Sequence, residues 1–331
     1  MSLVLRGLTT RLGHIIRTAN ELSALYSGGH DNPSGMTGIT KLHHFEFNDD
    51  LIGLASETVL EALTRARLAP SDIGGLVATS NFSHKTLIPT LGPAVAERAG
   101  FARMRAVTIG IGCGGRAQAV EYAMAMMTSS QVSWPRNKQF VILAAEHYSR
   151  QVDHNDLKTR YLFSDGIAAF ILMDTTPLPG DLILCEAASW SLTVAETLSG
   201  LKLDNAAFSQ DVYFRMETPA VVRFTHTVLE QARQLLDLES WHGISIIPHQ
   251  ANSRLLAHME AGVQEAASFY KDGIISIGNT LNASTLFALE DALKRHILGS
   301  EDVVLVPFGA EWTVGAIRLQ ISLPNSKPVV N

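Results

Sequence analysis

The sequence has few cysteines and no long hydrophobic run, and these absences exclude several classes of protein. Two cysteines in 331 residues cannot form a disulfide framework, and they fit a reducing compartment, so we expect a cytoplasmic protein. No apolar run reaches membrane-spanning length, and the apolar stretch at residues 3–8 is too short and too interrupted for a signal-peptide core. The sequence therefore predicts no membrane segment, and residues 3–8 fit a first β-strand better.

Basic runs are lacking as well. The chain has 26 Lys and Arg against 32 Asp and Glu, which gives a net charge of −6 and argues against nucleic acid as a main partner. The 12 histidines lack the spacing and the Cys or Asp partners of a metal site. We therefore expect no metal.

One of the two cysteines stands in a pattern that is typical of a reactive thiol. Residues 107–117 begin as a β-branched run, break into glycines around Cys113 and continue as an Ala-rich helical stretch. This pattern predicts a thiol on the turn between a strand and a helix N-terminus, where the helix dipole and free N–H groups favour thiolate. Cys113 is therefore the best nucleophile candidate. Cys185, within an apolar run, is interpreted as a packed hydrophobic residue.

Strand-like and helix-like patterns alternate along the chain, which predicts an α/β fold. The predicted core strands cover residues 74–80 and 140–145, and the predicted helices cover residues 51–66, 114–127, 218–238, 252–262 and 285–298. Residues 163–172 also resemble residues 308–319, each being a tight turn that leads into a strand. The simplest account is two similar α/β halves, residues 1–175 with the cysteine and residues 176–331 with the polar residues described next.

In the second half, three apolar runs are each followed by polar residues or by glycine. His249 follows a strand and a proline at a predicted helix start, where the dipole favours a neutral imidazole. Asn279 lies in residues 276–284, predicted as a strand followed by a polar turn and a helix, and it could also be a simple turn residue. Gly309 ends another strand, where a backbone N–H could bind an oxyanion. Because ligands of α/β sheets bind beyond strand ends, we expect these groups to meet Cys113.

The motifs in this order resemble the ketoacyl-ACP synthase III family of thiolase-fold condensing enzymes, over nearly the whole chain. The motifs that carry the resemblance are Thr-Gly-Ile at 37–39, His-His at 43–44, the Phe-Ser-Asp-Gly turn within 162–169, Pro-His-Gln-Ala-Asn at 248–252 with Arg254, Gly-Asn-Thr at 278–280 with Ala-Ser at 283–284, and Phe-Gly-Ala at 308–310. The resemblance implies a thiolase fold, in which two similar α/β halves pack as a five-layer αβαβα sandwich.

The resemblance also implies a mechanism. Cys113 would take an acyl group from a thioester, while its own N–H and that of Gly309 hold the oxyanion. His249 and Asn279 would donate hydrogen bonds to a malonyl- or β-ketoacyl-type thioester, stabilise the enolate left by decarboxylation and so allow a Claisen-type condensation. Arg254 resembles the arginine that docks the acidic acyl carrier protein, although a solvated helix residue explains it equally well.

Some positions depart from the family. Residues 32–36 lack the tryptophan and arginine that bind coenzyme A in the family, and Leu157 replaces a second arginine. These losses favour a carrier-protein-bound acyl donor over acyl-coenzyme A. Arg116 and Glu311 replace an apolar residue and a glycine of the family, so both are candidates for shaping the substrate site. We expect an enzyme of a specialised secondary-metabolite or dedicated lipid pathway.

The expected substrates are phosphopantetheine thioesters, with no separate cofactor, and the expected assembly is a homodimer with residues 80–90 near the interface.

Three alternatives stay open: acyl transfer from Cys113 to an alcohol or amine with His249 as base, a papain-like cysteine hydrolase, and a non-catalytic partner subunit of a heterodimer. Retention of Asn279 favours condensation over acyl transfer. The hydrolase lacks its Cys-Gly-x-Cys-Trp surroundings, and the intact Cys-His-Asn set speaks against a decayed subunit. The acyl donor, acceptor, pathway and product are left open.

Overall fold

The computed structural model describes residues 2–25, 33–81, 88–110, 112–129, 137–153, 156, 159–191, 200–203, 212–215, 218–309 and 312–323. The strands are β1 (Ser2–Leu12), β2 (Ile15–Thr18), β3 (Lys41–His44), β4 (Gly75–Thr79), β5 (Arg105–Ile109), β6 (Gln139–Glu146), β7 (Gly166–Thr175), β8 (Leu182–Ser191), β9 (Gly200–Leu203), β10 (Val212–Arg215), β11 (Ser245–Pro248), β12 (Ser268–Phe269), β13 (Asp302–Val306), β14 (Phe308–Gly309) and β15 (Thr313–Ile321).

The α-helices are α1 (Ala19–Leu25), α2 (Pro33–Thr37), α3 (Leu51–Ala66), α4 (Leu91–Arg98), α5 (Gly115–Thr128), α6 (Thr218–Thr225), α7 (Val228–Leu235), α8 (Ser253–Ala261), α9 (Gly273–Ile277) and α10 (Ser284–Lys294). Short 3-10 turns cover Pro70–Asp72, Tyr148–Gln151 and Leu281–Ala283.

The main sheet repeats one strand pattern on either side of its centre. Its order is β12-β11-β13-β15-β8-β1-β7-β6-β4-β5, and β14 pairs with β15. On one side β4 runs parallel to β5 and β6, and β7 runs antiparallel to β6 and β1. On the other side β11 runs parallel to β12 and β13, and β15 runs antiparallel to β13 and β8. This repetition supports our proposal of two alike halves divided at residue 175, where β7 ends.

The two sides meet at an antiparallel contact between β1 and β8, through Val4–Ile183 and Leu5–Leu182. Helices α5 and α10 lie in a central layer, because their apolar side chains share one core with strands of both sides. Helices α3 and α4 cover the outer face of the first half, and α7 and α8 contribute to the core on the outer face of the second. The order of layers is therefore α3 with α4, the first side of the sheet, α5 with α10, the second side of the sheet, and α7 with α8. These are the expected five layers.

Small residues allow the central layer to pack closely. The face of α5 that enters the central core carries Ala117, Ala119 and Ala123, all fully buried. Strand β15 approaches this helix so closely that a Cβ on Gly315 would lie 2.4 Å from the Cβ of Ala117. Since real Cβ atoms do not come so near, glycine is required there by packing, and the start of α5 is fixed against the second half.

The predictions of helices and strands are mostly confirmed, with two exceptions, whereas the interpretation of Cys185 as a packed residue was wrong because its side chain is exposed. The predicted helix at 51–66 is α3, but the helix predicted at 218–238 is divided into α6 and α7 around residues 226–227. The strand predicted before Asn279 was wrong, because residues 273–277 form the short helix α9. Within the ranges given above, no helix is both long and apolar enough to cross a membrane.

Candidate active site

Cys113 lies where the sequence predicts it, between β5 and the start of α5. The N–H of Gly115 donates to the carbonyl of Gly112 across the turn, at 2.8 Å. Gly114 is the N-cap residue of α5, and a Cβ on it would lie 2.7 Å from the Cβ of Thr313 on β15. Gly114 is therefore needed because strand β15 packs against this turn.

The backbone of Gly309 lies directly against Cys113. A Cβ on Gly309 would be 2.6 Å from the Cβ of Cys113 and 2.9 Å from its backbone nitrogen. Gly309 is held there by β14, whose two residues pair with Val314 and Thr313 of β15. A side chain at position 309 would displace the cysteine, so the turn has room only for glycine.

The charge state of Cys113 differs from the expectation. Burial raises the pKa of the Cys113 thiol above its ordinary value, and the Glu146 carboxylate raises it further. The backbone N–H of Cys113 lowers this pKa by less. The sulfur is therefore a thiol at neutral pH, and the expected thiolate was wrong because desolvation outweighs the helix N-terminus.

His249 follows β11 directly and is 3% exposed. Its backbone N–H donates to the carbonyl of Val306 at 2.9 Å, and its ring meets the ring of Phe308 edge-on, with centroids 5.4 Å apart. Burial lowers the pKa of His249 to about 3, so the imidazole is neutral, as expected. The cause is desolvation and not a helix dipole, since α8 begins at Ser253 after the N-cap Asn252.

The imidazole has an open hydrogen-bonding position. Nδ1 of His249 is buried and has no hydrogen-bond partner in the described part of the chain. The next residue, Gln250, fixes the backbone: its N–H donates to Oγ of Ser284, and its side-chain amide donates to the carbonyl of Pro248. His249 is thus held by its backbone while its ring nitrogens stay available for a ligand.

Asn279 is held by backbone bonds to the Phe-Ser-Asp-Gly turn. Its N–H donates to the carbonyl of Leu162 at 3.1 Å, and its carbonyl accepts from the N–H of Ser164 at 2.9 Å. Its side-chain Oδ1 accepts from the N–H of Leu281 at 2.9 Å. Because a backbone N–H can only donate, the amide orientation is assigned, and the Nδ2 group faces away as a donor.

A series of contacts connects Cys113, His249 and Asn279. The dipeptide Phe308–Gly309 touches both Cys113, through Gly309, and His249, through Phe308. Cys113 also packs against the apolar cluster that contains Phe163 and Leu281. Phe163 bridges to Asn279, and Leu281 binds its side chain. These contacts therefore connect the segments that carry Cys113, His249 and Asn279.

A buried polar network lies beside this group. Arg116 is fully buried, and its Nη2 donates to the carbonyl of Asn282 at 2.8 Å. Its Nε and Nη1 have no hydrogen-bond partner among the described residues. Burial lowers the pKa of Arg116 to about 9, and the Glu146 carboxylate opposes this change. The guanidinium therefore stays largely charged at neutral pH.

Glu146 and Asn282 were missed at the sequence level. Glu146 accepts from Nδ2 of Asn282 at 2.8 Å and from the N–H and side-chain amide of Asn81, each at 3.0 Å. A carboxylate directly after the apolar run 140–145 was a readable signal, because a charge seldom ends a buried strand without a partner. Nothing in the sequence singled out Asn282.

Of the other predicted residues, Arg254 lies apart from this group. Arg254 is on the exposed side of α8, where its Nη2 donates to the carbonyl of Gly35 at 2.9 Å. Glu311 lies outside the described residues, as do Leu157 and most of residues 80–90. Across the described ranges, no cluster of three or more His, Cys, Asp or Glu side chains could hold a metal ion.

Two family models match the chain. One, 3-oxoacyl-(acyl-carrier-protein) synthase III, matches residues 109–186, and the other, the C-terminal part of the same family, matches residues 244–321. The first match contains Cys113, and the second contains His249, Asn279 and Gly309.

Beta-ketoacyl-(acyl-carrier-protein) synthase III of Clostridium botulinum is 25% identical over 288 residues, 83% of this chain and 85% of that protein. The Campylobacter jejuni enzyme of the same name is 26% identical over 303 residues, 87% and 88% of the two chains.

Solved structures show the same fold. The 3-oxoacyl-(acyl carrier protein) synthase III of Pseudomonas aeruginosa superposes with a TM-score of 0.82 at 24% identity, covering 99% of this chain and 100% of that one. A tetronic acid condensing enzyme superposes with a TM-score of 0.78 at 18% identity, covering 96% and 100%. The fold is the expected thiolase fold, and the family matches span both halves of the site. The chain therefore belongs to the ketoacyl-ACP synthase III-like family of thiolase-fold condensing enzymes, as a divergent member.

Proposed function

We propose that this acyl-thioester condensing enzyme carries the acyl group on Cys113 and forms the new carbon–carbon bond at the seam of its two halves. The observation that carries the proposal is the double contact of residues 308–309, with Gly309 against Cys113 and Phe308 against His249. This contact supports a single reaction centre to which the two halves contribute different groups.

In the first step, Sγ of Cys113 attacks the carbonyl carbon of an acyl thioester. The tetrahedral oxyanion is held by the N–H groups of Cys113 and Gly309, and it collapses to an acyl-cysteine as the phosphopantetheine thiol leaves. Because Cys113 is a thiol, its proton must be taken and delivered to the leaving sulfur. The neutral imidazole of His249 is the base we assign to this transfer, since its nitrogens are not charged at working pH.

In the second step, a malonyl-type thioester binds with its carbonyl oxygen toward His249 and Asn279. The bond to the carboxylate breaks, carbon dioxide leaves, and the electron pair forms an enolate whose oxygen is stabilised by both donors. The enolate carbon attacks the acyl-cysteine carbonyl, the carbon–sulfur bond breaks, and the released Cys113 thiolate takes a proton from solvent. The Nδ2 group of Asn279 suits this task because its Oδ1 is already fixed by Leu281.

A carrier-protein-bound donor is the proposed substrate form. The support is the absence from residues 32–36 of the aromatic and basic side chains expected for coenzyme A, together with the exposed Arg254 as a docking cation. Arg116 and Glu311 remain our candidates for shaping the acyl site. Nε and Nη1 of Arg116, which have no hydrogen-bond partner within the described ranges, support an acyl chain that carries an oxygen.

We also propose a homodimer that acts in the cytoplasm in a specialised pathway. Both cysteines are free, which suits a reducing compartment. The tetronic acid condensing enzyme and a priming β-ketosynthase of a polyketide pathway share the fold, which is compatible with a specialised role.

The test is an intact-mass measurement with a panel of acyl-carrier and acyl-coenzyme A thioesters that includes plain, hydroxylated and dicarboxylic acyl chains. We expect a mass gain from one donor class, its loss in Cys113→Ala and its retention in the matched control Cys185→Ala. Malonyl-carrier is then added, because only condensation releases carbon dioxide. Transfer of the acyl group to an added alcohol or amine, with no carbon dioxide, would favour the acyltransferase alternative.

A further inference from the structure

The buried polar network joins the two turns that carry Cys113 and Asn279. Arg116 is three residues after Cys113, and Asn282 is three residues after Asn279. The guanidinium of Arg116 donates to the backbone carbonyl of Asn282 at 2.8 Å, and neither side chain is exposed. This hydrogen bond therefore links the start of α5, in the first half, to the turn before α10, in the second.

The same network is anchored to two strand ends. Asn282 donates through Nδ2 to Glu146, the last residue of β6, and Glu146 also accepts two hydrogen bonds from Asn81, which lies just beyond β4. Arg116 is charged and lies in the field of the Glu146 carboxylate. Charge-assisted hydrogen bonds in a desolvated site are strong and directional, so the two turns are held in one relative position.

We propose that Arg116 and Asn282 are a positioning pair, which sets the spacing between the acyl-cysteine and the enolate. The proposal rests on the function proposed above. Acylation needs Cys113 and Gly309 with His249 as base, and decarboxylation needs His249 and Asn279, so the Cys113 turn and the Asn279 turn serve different half-reactions. Carbon–carbon bond formation needs both turns at the right separation, and a displacement of about 1 Å can cost about 10²-fold in rate.

The test separates the half-reactions in the variant Asn282→Ala, which keeps the backbone carbonyl that accepts from Arg116 and removes the Nδ2 bond that anchors this turn to Glu146. Three quantities are measured: the rate of mass gain on Cys113, the rate of carbon dioxide release from a malonyl thioester, and the condensation product formed per carbon dioxide released. We expect both half-reactions to continue near the wild-type rate and the product per carbon dioxide to fall by about tenfold or more. Arg116→Lys, which keeps a cation beside Glu146 but loses the planar fork, should lower the same ratio.

The matched control is Val120→Ala, which removes buried methyl groups from α5 one turn beyond Arg116, inside the central core. It should lower stability and leave the product per carbon dioxide unchanged. An unchanged ratio in both Arg116→Lys and Asn282→Ala, or an equal fall in Val120→Ala, would overturn the proposal. If Asn282→Ala does not fold, Arg116→Lys decides by the same criteria. Failure of the wild type to acylate Cys113 would instead refute the proposed function.

Discussion

At the scale of single residues, the charge state of Cys113 has the clearest consequence. Because burial and Glu146 raise the pKa of its thiol, little thiolate exists at neutral pH. Raising the pH increases the thiolate fraction, and the thiolate is the reactive form. The rate of alkylation of Cys113 by iodoacetamide should therefore be lower than that of free cysteine at pH 8 and should still be rising at pH 9.

Alkylation is measured by intact mass in the Cys185→Ala variant, so that Cys113 is the cysteine that is modified. A reactivity that levels off near pH 7 would contradict the account, because it would show a thiol with a lowered pKa.

Asn279 provides the second residue-scale prediction. In Asn279→Asp, the side-chain oxygen can still accept from the N–H of Leu281, but the Nδ2 donor is lost. Condensation should fall by about 10²–10³-fold, while acylation of Cys113 continues near the wild-type rate. Product formation and mass gain are measured in parallel, and an equal loss of both would show that Asn279 acts on the fold and not on the enolate.

The positions of Cys113 and His249 in the fold could be predicted from local sequence, but the charge state of Cys113 could not. Glycines around Cys113 mark a strand-to-helix turn, and a proline before His249 marks the end of a strand. The pKa of Cys113 instead depends on Glu146, which is 33 positions away in the sequence and reaches the thiol only through the folded sheet. The helix dipole, which can be read from local sequence, does not explain the charge state of Cys113 or of His249.

At the scale of secondary-structure elements, the close packing of α5 against β15 makes a stability prediction. Gly315→Ala should lower the free energy of unfolding by about 1–3 kcal/mol, because its Cβ would lie 2.4 Å from the Cβ of Ala117. The matched control is Gly262→Ala at the end of α8, where the nearest atom would be 3.4 Å away. Urea unfolding of both variants is the measurement, and equal stability of the two would contradict the packing argument.

Elements with a regular apolar period were predictable, and elements set by tertiary contacts were not. The helix at 51–66 repeats buried residues at helical spacing, and its bounds were predicted without error. The segment before Asn279 is apolar and short, so its pattern does not distinguish a strand from a helix. Its last residue leads into Gly278, whose φ of 78° lies in the left-handed region and whose Cβ would meet Oγ of Ser164 at 2.5 Å. Only the folded contact with Ser164 reveals that constraint.

At the scale of the whole molecule, the repeated strand order is compatible with the proposed site, which draws on both proposed halves. The first half supplies the cysteine at the start of α5, and the second supplies the histidine, asparagine and glycine around β11, α9 and β14. The two central helices pack in a shared core, so the start of α5 and the start of α10 lie close together. The short echo between residues 163–172 and 308–319 hinted at two halves, but the strand order could not be read from it.

The central claim is that one acyl group passes from a thioester to Cys113 and from there into a new carbon–carbon bond. The most direct measurement is a chase: Cys113 is loaded with an isotopically labelled acyl group, excess donor is removed, and malonyl-carrier is added. We expect the label to leave Cys113 at the rate at which labelled product and carbon dioxide appear. Release of the label as free acid or as an ester, without carbon dioxide, would contradict it.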